Sequence, residues 1–164
     1  MDQDTAAAII RKHGGTATPE PAPPGELWVL NAIGPGHIQG PAVHKSAATP
    51  DVTTVEMWMF VRESQRGRHF NMTAEEKAAF YAELSAVLGG YGVGFDLVDQ
   101  GEKRNPGVSD LAMFRVLTSI PDRELTDETL FNALCAIQDA WNAGEACISR
   151  HLGKVPIASK SLSG

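Results

Sequence analysis

Cysteine is scarce in this chain, with two, Cys135 and Cys147, among 164 residues. Both fall on one predicted helix, where twelve residues rise roughly 18 Å at about 1.5 Å each, whereas bridged Cα atoms lie within about 7 Å. That spacing excludes an intrachain disulfide and predicts two buried, small apolar side chains in a reducing compartment. Long apolar runs are also missing, since none approaches the ~20 residues needed to cross a bilayer. The opening MDQDTAAAIIRKHGG carries acids where an export signal carries Lys or Arg. A soluble, cytoplasmic protein without a membrane partner is expected. Positive charge is in deficit, with 14 Lys+Arg against 20 Asp+Glu and a net charge of −6. Nucleic acid is therefore an unfavoured partner, because backbone binding is driven by clustered positive charge.

Several catalytic signatures are absent as well. G-x-S-x-G and G-x-x-x-x-G-K-[ST] do not occur, nor do H-E-x-x-H or paired C-x-x-C, which removes the most direct routes to a serine hydrolase, a P-loop NTPase or a motif-borne zinc site. Gly34-x-Gly36-x-x-x-Gly40 follows a predicted strand, but no helix follows it to receive a pyrophosphate. No cofactor is expected on these grounds.

What the chain does contain is an ordinary globular composition, 43% hydrophobic and 21% charged, and a length that suits one domain with a real core. A short helix is predicted from Asp4 to His13, stopped by Gly14-Gly15. TATPEPAPPG, with prolines at 19, 21, 23 and 24, reads as an extended linker. Residues 1–25 are thus expected to form a helical arm and Pro-rich linker, 26–153 a single domain and 154–164 a loose tail.

Within the domain, Glu26 to Ile33 is apolar on both alternating faces and reads as an interior strand. Pro35, Pro41 and Pro50 make Gly34 to Asp51 a loop of about twenty residues, a length that in compact domains is usually functional or disordered. Thr53 to Arg62 alternates as a strand with Met57 and Met59 on its core face, and RESQRGRHFNM follows as a basic loop. Thr73 and Glu76 form a capping box for a helix carrying Phe80, Leu84, Val87 and Leu88. Strands are predicted at Val93 to Asp99 and Leu111 to Thr118, and a long helix from Thr126 to Leu152 packs through Leu130, Leu134, Ile137 and Trp141.

The expected fold is α+β, a four-stranded mainly antiparallel sheet with helices packed on one face, in the order α-β-β-α-β-β-α. In element order this resembles secretion-chaperone-like α+β folds, which are small, acidic and often dimeric.

The crossover rule adds a functional expectation. If the second strand, the middle helix and the third strand form a right-handed crossover, those strands are parallel and their C-terminal ends share one sheet edge. Arg66, Arg68 and His69 would then converge with Lys103 and Arg104 on a patch fit for an anion or a partner's carboxylates, with His69 as the candidate acid or base. His37, His44 and Asp51 offer a weaker metal-ligand vocabulary in the long loop. Two functions are compatible with this pattern. The first is a non-catalytic protein-interaction role, as adaptor, chaperone-like protein or assembly subunit, with another protein or a second copy as partner. The alternative is a small enzyme or ligand-binding protein holding an anionic small molecule under the basic loops.

Overall fold

The computed structural model describes residues 1–100 and 110–154. Its strands are β1 (Thr16–Glu20), β2 (Glu26–Ile33), β3 (Ala42–Ser46), β4 (Val52–Phe60), β5 (Gly94–Asp99) and β6 (Leu111–Pro121). The helices are α1 (Gln3–Lys12), α2 (Glu63–Phe70), α3 (Ala74–Gly89) and α4 (Asp127–Leu152), with a 3-10 turn at Asp122–Glu124. No helix among the described residues is long and apolar enough to cross a membrane.

Among the described residues the sheet has six strands, in the order β1-β2-β3-β4-β6-β5, and every pairing is antiparallel. This corrects the expected four-stranded sheet and its element order, and with it the likeness in order to secretion-chaperone-like folds. The two unexpected strands sit in proline-rich sequence. β1 is an edge strand, where Pro19 opposes Leu30 and lacks only an N–H that an edge can leave unmade. β3 lies between Pro41 and Pro50, so the prolines bracket the ladder without interrupting it. The long loop expected from Gly34 to Asp51 is thereby divided in two. The expected basic loop after β4 is the helix α2, whose first turn is closed by Gln65 accepting from the Arg62 N–H at 3.2 Å.

β4 and β5 are each antiparallel to β6 and so parallel to one another, with their C-terminal ends on one edge of the sheet. α4 packs on β4 and β6, α1 on β1 and β2, and α3 on β5, while α1, α2 and α3 all touch α4. One helical layer therefore covers one sheet face. Near the N-terminus, α1 joins this layer and β1 the edge of the sheet.

The core lies between the layers. Leu30, Val43, Val55, Met57, Phe114 and Val116 from the sheet meet Leu84, Leu88, Leu130 and Ile137 from the helices. Leu130 and Ile137 are completely buried as their spacing requires, whereas Leu134 and Trp141, expected beside them, are only partly buried. The reason is that both look onto cavities flanking α4. Cys147 is buried, but Cys135 is exposed, contrary to expectation.

Candidate functional site

The stretch from Gly34 to Pro41 divides two cavities. Its first turn is set by local chemistry: the His37 N–H donates to the Gly34 carbonyl at 3.2 Å, with Pro35 and Gly36 as the central residues. Gly36 has φ +79°, the left-handed backbone that the third position of a Pro-Gly type II turn demands. The turn lifts the next residues off the sheet edge and leaves Ile38 97% exposed.

On one side lies a pocket of about 330 Å³ between α1, the end of β2 and α4, walled by Ile9, Ile10, Ile33, Pro35, Phe131 and Leu134, with His13, His37, Gln138 and Asp139 as polar members. On the other side an open groove of about 940 Å³ runs along α4, lined by Ile38, Trp58, Phe60, Arg62, Trp141 and Glu145 among others. His37 and Gln138 border both cavities. Phe60, the last residue of β4, is 66% exposed in the groove, and the Trp141 indole N–H donates to the Trp58 carbonyl at 3.0 Å. Sequence reasoning missed the pocket wall on α4. Its signal was nevertheless present, because Phe131, Leu134, Cys135 and Gln138 stand at i, i+3, i+4 and i+7 and form a second stripe beside the core-facing one.

The basic residues lie elsewhere and have partners inside the fold. Arg66 donates to Asp110 Oδ2 at 3.2 Å. Arg68 Nη1 donates to the Leu152 carbonyl at 3.0 Å and the buried Gln65 amide to the Gly153 carbonyl at 3.0 Å, so α2 closes the C-terminal end of α4, where carbonyls lack helical partners and the macrodipole favours a cation. His69 is 1% exposed. The Leu111 N–H donates to the Tyr81 oxygen at 3.1 Å, and that hydroxyl is hydrogen-bonded to His69 Nε2 at 3.0 Å. These contacts hold the His69 imidazole in the core. Burial is the main cause that lowers its pKa, with the positive charges of Lys77 and Arg66 adding to it. Burial likewise pushes Tyr81 up to about 12. Lys103 and Arg104 lie outside the described residues.

His37, His44 and Asp51 are not brought together. His37 borders the cavities, and Asp51 is exposed at the start of β4. His44 points to the sheet face that the helices leave uncovered, where it bonds Glu26 Oε2 through Nδ1 at 2.9 Å and has Glu56 Oε1 3.7 Å from Nε2. Glu56 also pairs with Arg115 at 3.2 Å, and Arg115 with Asp96 through Nε at 3.0 Å. Five ionisable side chains, Glu26, His44, Glu56, Arg115 and Asp96, thus cross five strands, acids alternating with bases. The Glu56 carboxylate beside His44 raises its pKa, against the opposing effect of burial, and Glu26 adds to the rise. Glu56 itself is held below the ordinary carboxylate range, because His44, Trp58 and Arg115 together outweigh its burial.

No family model matches this chain, and no curated protein matches it. Among solved structures it is similar to an uncharacterized protein from Methanothermobacter thermautotrophicus, known from a crystal structure, with a TM-score of 0.78 at 14% sequence identity. The match covers 93% of this chain and 100% of that one. The likeness is one of fold.

Proposed function

We propose that this protein is a non-catalytic interaction protein that seats an apolar, extended segment of a partner protein along α4, with one anchoring side chain in the smaller pocket and the rest of the segment in the groove. The observation that carries this reading is that the two cavities adjoin along α4, with His37 and Gln138 lining both and with Ile38 and Phe60 exposed at the groove. Large apolar side chains held in the open beside a concavity are characteristic of interaction sites, and an aromatic or aliphatic anchor in a pocket is the usual source of binding energy in such complexes.

Site-specific photo-crosslinking in extract of the native host tests the proposal. A crosslinker at position 38 should capture a defined partner, and Leu134→Trp, which fills the pocket, should weaken recovery of that same partner about tenfold or more, the scale of losing one anchor. Arg123→Gln, at an exposed residue that lines neither cavity, should leave recovery unchanged. Equal recovery by all three proteins would sink the reading. A second reading, a small apolar ligand, is favoured by the volume of the smaller pocket alone, about 330 Å³, which falls within the range of small-molecule sites. It predicts Leu134→Trp-sensitive stabilisation by small apolar compounds in the absence of any captured partner.

A further inference from the structure

Away from these cavities, α3 and α4 pack together with Glu83 on the first and Cys147 and His151 on the second. Cys147 and His151 are four residues apart and so share one helix face. Candidate ligand atoms of the three residues all lie within 4.8 Å of one another, a grouping that no other set among the described residues is found to make.

The surroundings orient two of the three. His151 Nε2 is 2.6 Å from Glu83 Oε2, and its ring stands edge-on to Phe80 with centroids 5.4 Å apart. Arg150 holds the second carboxylate oxygen of Glu83. Fixing a ring by packing and a carboxylate by a charged donor is the kind of outer support that metal ligands need. The third member, Cys147, is completely buried.

We propose that Glu83, Cys147 and His151 form a binding site for a borderline-soft divalent metal ion, zinc by preference. The donor set decides the class of ion. One sulfur, one nitrogen and one oxygen suit tetrahedral zinc and leave a fourth position for water, whereas magnesium and calcium require oxygen ligands in larger number. On binding, the Cys147 thiol gives its proton to solvent as the sulfur–metal bond forms, and the ion takes the place between His151 and Glu83. Arg150 adds a positive charge beside the ion, so the site is a modest binder and not a femtomolar trap.

Cobalt(II) titration of the full-length protein reads this directly, because a thiolate bond to cobalt produces a sulfur-to-metal charge-transfer band. The band should appear in the wild type and in Cys135→Ser, and be absent from Cys147→Ser. His151→Gln changes a residue on the solvent side, so its melting point should stay near the wild-type value while zinc affinity falls about tenfold or more. Zinc binding should also release a proton, measurable in weakly buffered solution. Absence of the band in folded wild-type protein at excess cobalt would overturn the proposal. So would zinc stabilisation of equal size in wild type and His151→Gln, which would assign the ion to other ligands.

Discussion

His69 and His44 respond to pH in opposite senses. Burial depresses His69 in the folded state, so its contribution is complete above the unfolded value of about 6.5 and is lost as pH falls toward the folded pKa, where the unfolded chain binds the proton more readily. Glu56 and Glu26 raise His44, so its contribution is complete below about 6.5 and is lost as pH rises through the folded pKa. Melting temperature measured from pH 5 to 8 should therefore climb to about 6.5 and then decline. His69→Gln should flatten the acid limb whatever its effect on absolute stability, and His44→Gln the alkaline limb. An acid limb of unchanged slope in His69→Gln would refute the lowered pKa of the buried imidazole. Neither behaviour was legible in the sequence. His69 stood in a stretch that reads as a solvated basic loop, and only the helical turn of α2 rotates it and Gln65 inward while leaving Arg62 and Arg68 outside.

Among the elements, α4 is held closest to its neighbours at Gly144. A Cβ there would stand 2.7 Å from the Phe114 ring and 2.8 Å from Leu88, both completely buried. Gly144→Ala should gain about 1 kcal/mol of helix propensity and lose about 1–3 kcal/mol to overpacking. The expected outcome is a lower denaturant midpoint at unchanged slope; a higher midpoint would mean that the three elements can separate without cost. Elements with strong periodicity were the ones the sequence disclosed. β2 matches its predicted span, Thr73 and Thr126 cap α3 and α4 through their side-chain oxygens, and the parallel relation of β4 and β5 followed from connection geometry. β1 and β3 were hidden because each has five residues and no apolar alternation strong enough to override nearby proline. Lys45 illustrates the point: it points inward from β3, where a lysine reads as a solvent-facing residue, and its ammonium is satisfied by Asp122 at 2.7 Å. The candidate site was half legible. The Gly34 to Asp51 stretch was marked by its length as functional or disordered, but the pocket depends on α1 and α4 meeting beside it, and such meetings depend on tertiary packing.

The molecule as a whole is a sheet whose strand order departs from chain order at one place, where β6 stands between β4 and β5. Strands β1 to β4 form consecutive antiparallel neighbours, so a nascent chain can pair them as each is made. β5 has no such neighbour, because β4 and β5 meet only through β6. Until residues 111–121 arrive, the edge of β4 is an open template and β5 is an unpaired strand, both hazards for association with other chains. Closing β6 against β4 joins residues such as Val52 and Pro121, a long loop whose entropy must be met before the contact rewards it. Assembly is thus expected in two stages, a meander followed by insertion of β6. Pulse-labelled hydrogen exchange during refolding should find the amides of β2 and β3 protected before those shared by β5 and β6. The last central strand to be synthesised acts as a keystone, and the ribosome, which releases it late, sets the interval during which this protein needs protection from its own kind.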